Sequence, residues 1–122
     1  MNRVYKSVTL GLTTLSLLGC STTANYYVGA ISSRTPTSIS SRYTKFVGDD
    51  SIDIKVEGTT IKVEITTKSG ILDVEISNGT ENPYEGHINE DMAFTVNVTP
   101  GNYKISLHGN EHSGSYKFDW GN

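Results

Sequence analysis

One cysteine, one tryptophan and three prolines are all that the 122 residues hold of these types. A lone cysteine closes no internal disulfide, which excludes a small cross-linked scaffold, and a chain of this length needs none to bury a core. The mostly apolar stretch Val8–Leu18 (VTLGLTTLSLL) counts 11 residues, well short of the ~20 that span a bilayer as a helix. Cations are scarce as well: Lys+Arg number 10 against 13 Asp+Glu, for a formal charge of −3. Such a surface attracts neither phosphate backbones nor anionic headgroups, which excludes nucleic acid as a partner and charge as the means of membrane attachment. A G-x-S-x-G nucleophile turn, a phosphate loop and the calcium loop D-x-[DN]-x-[DN]-G are also missing.

The first twenty residues fall into three zones. Met1–Ser7 carries Arg3 and Lys6 and no acid, as in the positive start of an export signal. Val8–Leu18 has the length of its apolar centre. Leu17-Leu18-Gly19-Cys20 then resembles the lipobox of bacterial lipoproteins. The resemblance implies that the Cys20 thiol receives diacylglycerol, that signal peptidase cuts between Gly19 and Cys20, and that a further chain such as palmitate acylates the new amine. Residues 1–19 are then a helical signal peptide, and Leu18 is bulkier than the small residue often found at its place. Two or three acyl chains make attachment stable, where one is marginal. Ser21, rather than Asp, after the cysteine implies delivery to the outer membrane if the cell is Gram-negative. Removal of residues 1–19 leaves 103 residues, and loss of Arg3 and Lys6 takes the charge from −3 to −5.

Residues 20–42 read as the lipidated cysteine and a flexible tether. Ten of the 22 positions from Ser21 to Arg42 are Ser or Thr, with Pro36 among them; this composition buries too little apolar surface to order itself. A flexible chain of that length spans ~26 Å, enough to hold a domain off the headgroups. Within it, Asn25–Ile31 (NYYVGAI) has an alternative reading as a short strand.

From Tyr43 the apolar period is two, the signature of strands. A strand is expected at Tyr43–Val47. Ile52, Ile54 and Val56 alternate with charges, as do Ile61, Val63 and Ile65, and then Leu72, Val74 and Ile76. Phe94, Val96 and Val98 lead through Thr99-Pro100-Gly101-Asn102 to Tyr103, Ile105 and Leu107, and Tyr116, Phe118 and Trp120 follow. Turns are expected at Gly58-Thr59, Lys68-Ser69-Gly70 and Asn78-Gly79, and loops at Asn78–Asp91 and Gly109–Gly114. One wet and one dry face per strand, with no helical period, predict an all-β fold over 43–122: an antiparallel β-sandwich or jelly roll of six to eight strands, with an open barrel as the alternative. Outward Lys55 and Glu57 are expected to face Lys62 and Glu64 across a hairpin. The closing segment, through Pro100, Gly101 and Tyr103 and then Gly114, Ser115 and Tyr116, resembles the last hairpin of bacterial pre-peptidase C-terminal domains and of small exported lipoproteins. That resemblance implies a jelly roll and, in some members, calcium or matrix binding; no catalytic residues come with it.

His108, Glu111 and His112 spell H-x-x-E-H, a zinc-peptidase spelling that needs a helix to align its histidines; Gly109-Asn110 inside it favours a solvated hairpin loop, with His87 elsewhere. Asp49, Asp50, Asp53 and the loop 78–91 offer oxygen ligands, and Tyr84 is the aromatic residue set in that loop. Gly19 and Cys20 are thus the site residues, with no catalytic residue, metal or cofactor assigned. Three functions remain: a non-enzymatic, lipid-anchored envelope protein binding a protein or envelope polymer through its loops; a metal-binding or hydrolytic module using His108, Glu111 and His112; and a structural spacer.

Overall fold

The computed structural model describes residues 25–121; residues 1–19, expected as a signal peptide, and Cys20 lie outside the described residues. Seven strands form one antiparallel sheet: β1 (Tyr26–Val28), β2 (Ile31–Thr35), β3 (Ser38–Val56), β4 (Thr60–Ser77), β5 (Tyr84–Ile88), β6 (Met92–Asn97) and β7 (Gly101–Asp119). Their order is β1-β3-β7-β4-β5, with β2 also on β3 and β6 also on β4. The all-β, antiparallel class expected from the alternation is the class that forms.

Three strands dominate, and they are far longer than the usual 3–10 residues: β3 and β7 have 19 each and β4 has 18. The first halves of β3 and β4 flank the second half of β7, and their second halves flank its first half. Side chains from both halves join one core, including Ile61, Val63, Leu72, Ile76, Ile105 and Phe118, all fully buried. The sheet is therefore folded over as a sandwich-like envelope around a single interior.

The fold-over is written in side-chain parity. Inward positions in β3 run Ser41, Tyr43 and then Phe46, Ile52, Ile54; in β4, Ile61, Val63, Ile65 and then Leu72, Val74, Ile76; in β7, Tyr103, Ile105, Leu107 and then His112, Tyr116, Phe118. Each strand switches from odd to even inward positions near its middle, where the register shifts. A one-residue bulge bends a strand and keeps its apolar set on the concave side. Two glycines make the bend possible. Gly70 lies at φ +78°, and a Cβ there would stand 2.1 Å from the Glu111 carbonyl oxygen; at Gly114 it would stand 1.9 Å from that of Thr66.

Four expectations are corrected by this arrangement. Lys68-Ser69-Gly70 and Gly109–Gly114 are not connections between strands but bends inside β4 and β7. The stretch expected as tether is already in the sheet from Tyr26: residues 26–35 pair with β3, and Tyr27, Ile39 and Ser41 reach inward. Loop 78–91 contains β5, paired with β4 from Leu72 to Ile76. Finally, β3 and β4 are consecutive but not neighbours, since β7 lies between them. Lys55 instead approaches Glu57, just past the end of its own strand, at 4.0 Å, and Glu64 stands opposite Lys117.

Candidate functional site

The H-x-x-E-H residues lie along the bend of β7, and the strand sends them apart. His108 is on the outer face, its Nδ1 2.7 Å from Asp49 Oδ1. Glu111, the one described non-glycine residue at positive φ (51°), reaches solvent and approaches Lys45 Nζ at 3.8 Å. His112 is fully buried. Its Nδ1 lies 2.7 Å from Tyr43 Oη and its Nε2 2.9 Å from Thr67 Oγ1. Burial lowers its pKa from 6.5 to about 4, so the ring is neutral, with one nitrogen donating and the other accepting. The hairpin loop expected here, and the shared site of the metal reading, are both replaced by a structural imidazole and two surface side chains.

Strand order assembles a different cluster that no local motif announces. Asp49 on β3 stands opposite His108 on β7, His108 opposite Asp73 on β4, and Asp73 opposite His87 on β5. Directly opposed residues share a face, so a row of Asp–His–Asp–His crosses four strands on the outer surface. His87 Nδ1 is hydrogen-bonded to Asp73 Oδ1, and that bond raises the His87 pKa above its ordinary value. One row along, Glu75 and Glu85 oppose each other. Each imidazole is taken by one carboxylate, and among the described residues no three His, Cys, Asp or Glu side chains are grouped to hold a metal ion. The row was hidden in the sequence because its members sit at positions 49, 73, 87 and 108, and only the registers of β3–β7, β7–β4 and β4–β5 join them.

Three of the other oxygen ligands considered hold parts of the fold together. Asp50 Oδ2 accepts the Tyr27 hydroxyl at 2.7 Å, and Asp91 Oδ1 accepts Thr67 N–H at 2.8 Å. Asn78 Oδ1 accepts from Thr80 and Glu81 backbone N–H at 2.9 and 2.8 Å, closing the expected Asn-Gly turn as a side-chain-capped loop. Tyr84 is on β5, not in an open loop, and packs on Phe94 with ring centroids 4.7 Å apart. The Pro-Gly-x-Tyr segment has a mechanical basis: Tyr103 Oη donates to the Thr99 carbonyl at 2.7 Å and fixes the β6–β7 turn. Beside that turn, Glu81, Pro83, Asn97, Val98, Thr99 and Tyr103 line a shallow depression of about 250 Å³.

An aromatic cluster ties the N-terminal strands to the bend. Tyr27 stacks on Phe46 at 4.3 Å and 10° between planes, and its hydroxyl lies 3.2 Å from that of Tyr116. Burial pushes the Tyr27 and Tyr43 hydroxyls well above the usual phenol range and raises that of Tyr116, so all three stay protonated. At the sheet's other end, the buried Trp120 Nε1–H has no partner among the described residues.

No family model matches the chain, and no curated protein does. Among solved structures, the cupin domain of Drosophila melanogaster CENP-C is similar at a TM-score of 0.40 and 11% identity, over 85% of this chain and 87% of that one.

Proposed function

We propose that this chain is an exported lipoprotein, held to a membrane by acyl chains on Cys20, whose β-sandwich binds a protein or polymer of the cell envelope without catalysing a reaction. The observation that carries the reading is Leu17-Leu18-Gly19-Cys20 placed behind Arg3, Lys6 and an 11-residue apolar stretch. A charged start, a short apolar centre and a small residue before the cut are what export and processing require, and acylation gives the lone cysteine a chemistry that pairing cannot. The binding role is supported by the shallow depression between segments 81–83 and 97–103, which presents Glu81, Asn97 and Thr99. The acidic balance of the processed chain favours a neutral or basic partner over a nucleic acid.

Mass spectrometry of the native protein tests the anchor. The expected N-terminus is Cys20 with diacylglycerol and one further acyl chain, and a retained Met1 or an unmodified thiol refutes the address. Crosslinking in intact envelopes, with Cys20→Ser as the mislocalised control, tests the binding role. A partner recovered with the native chain and lost on scrambling 78–83 supports it. Normal envelope fitness after scrambling, with no partner captured, favours the spacer reading.

A further inference from the structure

We propose that the outer face of the β1–β3 edge is a membrane-contact surface that seats Tyr26, Val28 and Ile31 in the headgroup region of the bilayer carrying Cys20. The proposal rests on the lipid-anchored reading and adds an orientation to it. The three side chains are 43%, 45% and 64% exposed, and with Met92 they are the large hydrophobics exposed among the described residues. Register puts them together: Tyr26 stands opposite Val47, Val28 opposite Lys45 and Ile31 opposite Arg42. Opposed residues share a face, so one strip at the bend of β3 carries all of these. The alternate residues turn inward, Tyr27 onto Phe46 and Ser32 onto Ser41, whose hydroxyls are 2.9 Å apart.

Chain length fixes where this strip lies. A tether of 22 residues would let the domain drift far from the lipid, but the sheet takes up the chain at Tyr26. Tyr26 lies six positions after Cys20, and six residues reach at most ~21 Å fully extended. The β1 edge therefore stays within that distance of the anchored cysteine, and the nearest exposed surface is apolar. Tyr suits the headgroup layer because its ring is amphipathic, and the long stems of Arg42 and Lys45 lie along apolar surface with their charges in water. Glu111 approaches Lys45, and Asp49 follows on the same face of β3, so apolar contact, not net charge, holds the edge down. Neutral phosphatidylcholine is a sufficient membrane.

The test uses the full lipidated chain in phosphatidylcholine vesicles, with and without bromine on the upper acyl chain. The mass of the N-terminal peptide is read in the same sample, so that an unmodified Cys20 overturns the address, and the surface with it. With Cys20 acylated, I31W is expected to emit at shorter wavelength in vesicles than in detergent and to lose most of its added emission in brominated lipid. Y26W repeats the measurement at a second position, and M92W at the opposite edge is expected to keep its emission. Emission from the native Trp120 is subtracted using the wild-type chain. Equal quenching at positions 31 and 92, or none at 26 and 31, overturns the surface while leaving the anchor intact. A dimer in detergent that I31S converts to monomer assigns the strip to a second copy and overturns the membrane contact.

Discussion

At His112 both ring nitrogens face hydroxyls inside the core, and between about pH 4 and 6.5 the imidazole is neutral only while the chain is folded. Its pKa is 6.5 in the open chain and about 4 in place. Between these values the unfolded chain binds a proton that the native chain does not. Stability therefore rises with pH across this window and falls as pH drops from 6.5 toward 4, by about 1.4 kcal/mol per unit from this residue alone. Urea unfolding at pH 7 and pH 5 checks the slope, and His112→Gln, which does not titrate, is expected to remove this part of it. The sequence showed the H-x-x-E-H spelling but not the direction of His112. Continuing the odd inward phase of Tyr103, Ile105 and Leu107 puts position 112 outside, whereas counting back from Tyr116 and Phe118 puts it inside. Both counts are legible, and only the bulge between them decides.

The same ambiguity governs whole elements. A phase change between two alternating runs is produced equally by a loop joining two strands and by a bulge inside one strand, and glycine marks both. For this reason Lys68-Ser69-Gly70 reads as a turn, although Gly58-Thr59 and Asn78-Gly79, with the same chemistry, are true connections. Deleting Ser69 separates the two. It would turn Leu72, Val74 and Ile76 to the solvent face, and the expected result is loss of the cooperative unfolding transition, followed by circular dichroism. A glycine inserted after Gly79, in an exposed loop, is expected to leave the transition nearly unchanged. Pairing across strands was the least legible feature, because partners lie as far apart in the chain as Ser38 and Asp119. It yields a surface prediction: Glu75 and Glu85 are opposed like charges, so Glu85→Lys is expected to stabilise by about 0.2–1 kcal/mol, measured as a raised urea midpoint with an unchanged slope.

For the molecule as a whole, the last strand is the central one. β7 pairs along both edges, with β3 on one side and β4 on the other, so neither layer is complete until residues 101–119 are in place. Most contacts are long-range, which makes folding slow relative to helical chains. The N-terminal boundary follows from the same topology. Composition placed the start of the domain at Tyr43, yet residues 38–42 pair with 115–119 of β7 and with 31–35 of β2, and the Tyr27 ring stacks on Phe46 of the core. A chain beginning at Asn25 keeps every one of these contacts. One beginning at Tyr43 loses β1 and β2 and leaves the second half of β7 unpaired on one side. The first is expected to give a sharp thermal transition, and the second to be unfolded or aggregated at the same temperature, read by circular dichroism and light scattering. If the shorter chain melted as sharply as the longer one, β1 and β2 would be a dispensable edge rather than part of the fold, and the reading of residues 20–42 as a tether would stand.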